Sequence, residues 1–176
     1  MSAGVAGVRY TPRTAPRAGS PAGVQSLPAA YVHPGQVLVS TGPGVLTTIL
    51  GSCVAVCLHD ATLGVGGLNH YLLPNHGASD AHQGRYGPTA IEQLVHAMLA
   101  RGASRERMVA HVVGGARVLA AFTDGQHLGL RNAAVAREAL AAHRIPIVSA
   151  DVGGTRGRKL QFAPRDGQLA IHMIGA

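Results

Sequence analysis

The sequence predicts an α+β protein: a layered, mixed and mainly antiparallel β-sheet sandwich with helices packed on the outer faces. Strand-like runs outnumber helical ones, and only two segments are predicted to form helices. Residues 53–58 are apolar at odd and even positions alike, which indicates a strand buried on both sides. Hydrophobic residues make up 47% of the 176 residues and charged residues 13%, so a mainly disordered chain is excluded.

Residues 1–30 are predicted to be a disordered basic tail rich in Pro, Gly and Ala. The density of prolines disfavours the amphipathic helix of a transit peptide. Residues 31–176 match the usual size of one domain, ~100–200 residues. The tail holds three arginines and no acid, so the net charge of +7 falls to +4 on the predicted domain. A basic domain favours an acidic partner without choosing its class.

The aliphatic and β-branched runs predict eight strands, separated by turn-forming residues. They lie at 36–40, 45–50, 52–59, 65–73, 108–113, 145–150, 159–163 and 168–174. Thr89 and Glu92 form a capping box, and apolar residues spaced as on a helix face follow through position 99. Asn132 is predicted to cap a second helix that runs to about residue 143.

The third and fourth strands are predicted to form a hairpin with residues 60–63 as its loop. In this register Cys53 lies opposite His70, within reach of a thiol–imidazole hydrogen bond. Such a pair is a nucleophile and its base, in which the histidine lowers the thiol pKa. Cys57 lies opposite Gly66 and is predicted to be an inert core residue. The alternative is that Cys53 is also a small core residue, with His70 a satisfied interior histidine.

Several blocks of the sequence form an ordered pattern. They are TTILGSCVAVC at 47–57, GGLNHYLLP at 66–74, GRYG at 84–87, GGA at 114–116, GLRN at 129–132, and DVGG at 151–154 with Arg156 and Arg158 following. In these blocks, which together span about residues 33–174, the sequence resembles the CheD family of chemoreceptor glutamine deamidases.

The resemblance implies a catalytic triad of Cys53, His70 and Thr47, with Thr48 as the neighbour that could be confused with Thr47. Cys53 would attack the side-chain amide of a receptor glutamine, and the backbone N–H groups of Ser52 and Cys53 would hold the oxyanion. A thioester would then be hydrolysed to leave glutamate, with ammonia released. The same thiol could open a glutamyl methyl ester. No cofactor is implied.

The resemblance also implies partners. The cytoplasmic domains of chemoreceptors would be the substrate, and a chemotaxis phosphatase of the CheC type is a further partner that it allows. The alternative function is therefore that of a mainly non-catalytic regulator of such a phosphatase. Two unpaired cysteines suit the reducing cytoplasm, and the sequence has no run of ~18 apolar residues that would insert into a membrane.

Two other kinds of site are weighed against the triad. A metal site would draw on His70, His76 and His82 with Cys53 and Cys57, but this spacing lacks the tight pairs of zinc sites, so no metal is expected. The basic run at 156–159 could contact nucleic acid, but a solvated loop between strands is the simpler interpretation. No nucleic-acid partner is therefore expected.

Overall fold

The structure, a computed structural model, describes residues 28–75, 82–118 and 127–175. Within these ranges the chain forms nine strands, two α-helices and a short 3-10 turn at Gln83–Arg85. The strands are β1 (Ala29–Tyr31), β2 (Val37–Ser40), β3 (Val45–Leu50), β4 (Val54–Asp60), β5 (Val65–Asn69), β6 (Met108–Gly114), β7 (Ile147–Val152), β8 (Gly157–Ala163) and β9 (Gln168–Ile174). The helices are α1 (Gly87–Ala100) and α2 (Leu128–Ala142).

The strands form two stacked sheets, which confirms the predicted α+β sandwich. The four-stranded sheet has the order β1-β3-β8-β9 and the five-stranded sheet the order β2-β5-β4-β6-β7. Neighbouring strands are antiparallel except for the pairs β1–β3 and β6–β7. Both helices pack on the same outer face, that of the five-stranded sheet. The layers are therefore helices, five-stranded sheet and four-stranded sheet.

Strand β4 is buried at every position because it lies between two hydrophobic layers. Val54, Val56 and Leu58 point toward the helices, where they join the larger core. Ala55 and Cys57 point toward the four-stranded sheet and join the second core. This confirms the prediction of a strand buried on both sides, and each fully buried valine or leucine contributes roughly 1.5–3 kcal/mol.

The β4–β5 hairpin has a register two residues away from the predicted one. Asp60 pairs with Val65 and Cys57 with Leu68, so the loop is 61–64 rather than 60–63. The Asp60 carboxylate accepts the Thr62 N–H at 3.1 Å, so the turn begins after Asp60, and it also forms an ion pair with Arg107 at 2.9 Å. These contacts hold Asp60 at the end of the strand. Cys57 therefore does not face Gly66, and Cys53 does not face His70.

The ordered strands begin two residues before residue 31, where the predicted domain starts. Strand β1 begins at Ala29 and pairs in parallel with β3, although all three of its residues are exposed. The carbonyl of Pro28 accepts the Val45 N–H at 3.0 Å. The pairing partner is distant in sequence and no apolar alternation marks the strand, so the local pattern does not reveal it. The prediction of disorder for residues 1–27 lies outside the described residues.

Both helices begin earlier than their predicted caps. Helix α1 starts at Gly87 after an extended Tyr86, so Thr89 lies inside its first turn. Helix α2 starts at Leu128, which makes Asn132 its fifth residue rather than its cap. Neither described helix combines the length and the apolar character that a bilayer crossing requires.

Two adjacent glycines let β5 fit between the layers. A Cβ on Gly66 would lie 2.6 Å from the Pro164 carbonyl oxygen and 3.0 Å from the Phe162 ring. On the opposite face, a Cβ on Gly67 would lie 2.7 Å from Val39. Real Cβ atoms do not approach this closely, so any side chain here forces the layers apart.

Replacing Gly66 by alanine should therefore lower the free energy of unfolding by about 1–3 kcal/mol, the usual cost of overpacking. Gly42→Ala is the matched control, because its Cβ would have only Ser40 Oγ nearby, at 3.8 Å. Urea unfolding of the two variants and the parent measures the difference. Equal stabilities for the two variants would contradict the close approach at β5.

Candidate active site

Cys53 lies in the short segment that connects β3 to β4, where the chain passes from one sheet to the other. Its thiol is partly exposed, whereas Cys57 is fully buried between the sheets. Both cysteines are free, as the sequence predicts. Burial raises the pKa of the Cys57 thiol far above its usual range. Cys53 is therefore the thiol that a substrate can reach.

The carbonyl groups of three consecutive residues around this thiol are all hydrogen-bonded. Gly51 O accepts the Ala116 N–H at 2.9 Å, and Cys53 O accepts the Gly115 N–H at 2.8 Å. Between them, Ser52 O accepts a hydrogen bond from the Asn132 side-chain amide at 3.0 Å. These bonds fix the planes of the peptide groups before and after Cys53.

The orientation of these planes decides where the N–H groups point. In a trans peptide the N–H is opposed to the carbonyl of the same plane, so the N–H groups of Ser52 and Cys53 point away from α2 and the 114–116 segment. Within the described ranges, neither N–H donates to the backbone of another residue. Burial raises the pKa of the Cys53 thiol, and a hydrogen bond from the residue's own N–H to its sulfur opposes part of that rise. Neither N–H is therefore engaged by the segments that bind the carbonyls of Gly51 and Ser52.

Glycines make the carbonyl contacts possible. Gly114 has φ +119°, and a Cβ at this position would clash with the Cys53 carbonyl oxygen. Gly115 has φ +67°, which suits a residue without a side chain. Only glycines at these two positions let the turn bring the Gly115 N–H to the Cys53 carbonyl. The GGA block is therefore explained by backbone approach.

The turn after β7 supports the 114–116 segment from the other side. Arg158 is buried and donates to the Gly153 carbonyl at 2.9 Å and to the Asp151 carboxylate at 2.8 Å. Gly153 in turn donates its N–H to Gly114 O at 3.0 Å. The DVGG block and Arg158 thus hold the glycine turn that holds Cys53.

His70 follows β5 and is buried between the two sheets. Its Nδ1 lies 2.8 Å from Thr48 Oγ1, and that hydroxyl donates its hydrogen to the Val32 carbonyl at 2.7 Å. Because a hydroxyl has one hydrogen, the Thr48 oxygen must accept from Nδ1–H. The tautomer is therefore fixed, and Nε2 carries the lone pair.

The Nε2 atom of His70 is buried and has no hydrogen-bond partner among the described residues. Burial lowers the pKa of His70 to about 4, helped by the charge of His33 and opposed by the Val32 carbonyl. The imidazole is thus neutral at physiological pH, and the lone pair on Nε2 is free to accept a proton. The same absence of partners means that no hydrogen bond joins Nε2 to the Cys53 thiol in this structure.

Three expectations about the contacts within the triad differ from the structure. The Thr47 hydroxyl donates to the Leu160 carbonyl at 2.9 Å, because odd positions of β3 face away from β4, and it is the Thr48 hydroxyl that bonds to His70. The direct opposition of Cys53 and His70 is lost with the hairpin register, although a shift of two keeps His70 between the sheets. Burial also raises the pKa of the Cys53 thiol, contrary to the predicted lowering.

Asn132 and Arg158 make contacts around the Cys53 segment that the sequence did not predict. Both lie in blocks of the ordered pattern, GLRN and DVGG with its following arginines, and that was the available signal. Asn132 was interpreted as a helix cap, but its side chain bonds to Ser52 O and to Leu72 O. These contacts span 80 and 60 positions of sequence.

The alternative sites gain no support from the geometry. No group of three or more His, Cys, Asp or Glu side chains in the described parts of the chain could hold a metal ion. His76 of the proposed metal set lies outside these residues. In the basic run at 156–159, Arg158 is buried in its ion pair with Asp151, which removes it from any nucleic-acid surface.

The sequence was compared with known proteins. A family model described as CheD chemotactic sensory transduction matches residues 72–173. The probable chemoreceptor glutamine deamidase CheD 1 of Anaeromyxobacter dehalogenans (strain 2CP-C) is 46% identical over 92% of this chain and 94% of that protein. Proteins named probable chemoreceptor glutamine deamidase CheD from Xanthomonas campestris pv. campestris (strain B100) and Stenotrophomonas maltophilia (strain K279a) are each 45% identical over 83% of this chain and 73% of theirs.

The buried histidines predict a loss of stability in mild acid. The pKa of His70 is about 4 when folded, against an ordinary 6.5, so the unfolded chain binds more protons between these values. Stability should be complete above about pH 6.5 and should fall as the pH drops toward 4, by roughly 3 kcal/mol for this group.

The measurement is the free energy of unfolding, obtained from urea unfolding at several pH values between 7 and 4. His70→Gln should flatten the curve only in part, because burial also lowers the pKa of His111 to about 4. Parallel curves for the parent and His70→Gln would show that His70 is not buried in its neutral form.

Proposed function

The chain belongs to the CheD family, and on that premise we propose that it is a chemoreceptor glutamine deamidase, a hydrolase that converts receptor glutamines to glutamates. The observation that carries this proposal is the 46% identity, over 92% of the chain, to a protein named as a probable enzyme of this kind. The geometry around Cys53 supports the chemistry, because deamidation needs a nucleophile, donors for an oxyanion and a base.

In the first half of the proposed reaction, the Cys53 sulfur forms a bond to the amide carbon of the glutamine side chain. The thiol proton passes to Nε2 of His70, and the carbonyl oxygen becomes an oxyanion. The N–H groups of Ser52 and Cys53 donate to that oxyanion. The carbonyls of Gly51 and Ser52 are hydrogen-bonded to the 114–116 segment and to α2, so the N–H groups in the same peptide planes point away from those elements. The C–N bond then breaks, and the leaving nitrogen takes the proton from His70 to depart as ammonia.

In the second half, water attacks the thioester while Nε2 of His70 accepts one of its protons. The C–S bond breaks, glutamate is released, and the proton returns to the Cys53 sulfur. Both the thiol and the imidazole start neutral, because burial favours their uncharged forms. Proton transfer therefore accompanies the attack and does not precede it.

Thr48 is the positioning residue of this base. By accepting from Nδ1–H it keeps the lone pair on Nε2, and by donating to Val32 it holds its own hydroxyl in one orientation. A histidine in the other tautomer would present N–H to the thiol and could not take its proton.

A side reaction, a partner and a location are proposed in addition. A glutamyl methyl ester is open to the same attack, with methanol as the leaving group, so methylesterase activity is proposed as a side reaction. A CheC-type phosphatase is proposed as a partner on family grounds alone. The free thiols support a cytoplasmic location, where the cytoplasmic domains of receptors would be met.

Replacing Cys53 by alanine should abolish deamidation, because no other thiol is exposed in the described part of the chain. The assay incubates the protein with a receptor cytoplasmic domain and follows the mass rise of about 1 Da per glutamine that replacing an amide by a carboxylic acid causes. Circular dichroism checks that the fold persists. Full activity in Cys53→Ala would rule out this nucleophile.

The same assay separates the enzyme from a non-catalytic regulator. A parent protein that leaves the receptor mass unchanged but binds a CheC-type phosphatase would favour the regulator. A mass change that Cys53→Ala removes would favour the enzyme.

Thr48→Val should lower the deamidation rate by about 10–100-fold, since valine keeps the shape of threonine but cannot accept from Nδ1–H. Thr47→Val is the matched control, because its hydroxyl bonds to Leu160 O and not to His70. It should retain nearly the parental rate. The assignment fails if Thr47→Val is the more damaging change.

A further inference from the structure

We propose that Asn132 is a positioning residue for the oxyanion donors, acting through the peptide group between Ser52 and Cys53. The proposal deepens the proposed function and rests on it for the identity of the substrate. It concerns one bond: Asn132 Nδ2 donates to Ser52 O at 3.0 Å. Because the Cys53 N–H shares the peptide plane of that carbonyl, this bond sets the direction of the N–H.

The same amide also ties the base-bearing segment to the nucleophile. Its second hydrogen donates to Leu72 O at 2.8 Å, two residues after His70. One side chain therefore bridges the segment before β4 and the segment after β5. Both acceptors are backbone carbonyls, so the bridge needs a side chain with two N–H groups on one atom. Asparagine supplies them at this length, and aspartate supplies none.

The backbone of Asn132 is held in place by a hydrogen bond from Tyr71 and by the close approach of α2 to the 114–116 segment. Its own carbonyl accepts the Tyr71 hydroxyl at 2.6 Å, and the residue is fully buried. Helix α2 approaches closely because Gly129 has no side chain: a Cβ there would clash with the Gly115 carbonyl and lie 2.9 Å from that of Ala116. A polar residue buried in the interior of a helix, with its side chain directed at a distant loop, has little reason to be there for helix stability alone.

The chemical consequence is specific to reactions that form an oxyanion. Loss of one oxyanion donor typically costs about 100–1,000-fold in kcat. Alkylation of a thiol by iodoacetamide forms no oxyanion, so it reports on the exposure and pKa of Cys53 without using the donors. A purely structural role for Asn132 would change both reactions together.

The test uses Asn132→Asp and Asn132→Ser in the full chain. Aspartate keeps the shape but removes both donated hydrogen bonds, and serine is too short to reach yet places no charge beside the two carbonyls. Three rates are measured: receptor deamidation, acylation of Cys53 by p-nitrophenyl acetate, and alkylation by iodoacetamide. The first two should fall by about 100-fold or more, with KM for the receptor within about twofold, while alkylation stays within about threefold.

Arg107→Met is the control for general destabilisation. It removes the ion pair with Asp60, which lies at the opposite end of β4 from the nucleophile segment. It should lower the melting temperature and leave all three rates nearly unchanged when each protein is assayed well below its own melting temperature.

The proposal is overturned if both variants acylate at the parental rate, or if alkylation falls as far as acylation. The acylation arm needs no receptor, so it also separates this proposal from the proposed function. A parent protein that acylates but does not deamidate any receptor would overturn the function, while loss of acylation in the two Asn132 variants would still support the positioning role.

Discussion

The candidate site depends on the hydrogen bonds that fix three successive carbonyls, those of Gly51, Ser52 and Cys53. Because each peptide group is planar, fixing a carbonyl also fixes the N–H on the other side. In the proposed reaction the two oxyanion donors are therefore backbone N–H groups, those of Ser52 and Cys53, and no dedicated side chain is needed at the reacting atom. The glycine turn at 114–115 and the ion pair of Arg158 with Asp151 explain why these bonds are held in place.

The proposed base, His70, comes from a different layer of the fold. His70 and Thr48 lie between the two sheets, where burial keeps the imidazole neutral. The peptide groups of the proposed oxyanion donors are held from the side of the helices, through Asn132. Cys53 lies where the chain crosses between these layers. The two groups therefore lie in different environments. The lone pair of His70 is buried away from solvent, whereas the Cys53 thiol is partly exposed.

Much of this architecture could be predicted from the sequence, because local patterns determine it. Apolar positions on both faces of β4 indicated a layered sandwich, and parity alone placed His70 on the correct side of β5. Contacts between distant segments could not be predicted in this way. Val45 and Ile49 are as apolar as Leu46 and Leu50, so the sequence does not say whether Thr47 or Thr48 faces inward. At the end of the hairpin Asp60 forms an ion pair with Arg107, and the side chain of Asn132 bonds to a loop 80 positions away, which no local pattern reveals.

Because the chain crosses between the layers at Cys53, activity should be sensitive to loosening of the tertiary packing. The site exists only while the helices, the five-stranded sheet and the four-stranded sheet keep their mutual spacing. An expanded state that retains its helices and strands but loosens their packing would lose the catalytic arrangement first. Activity would then be a more sensitive gauge of tertiary order than any measure of secondary structure.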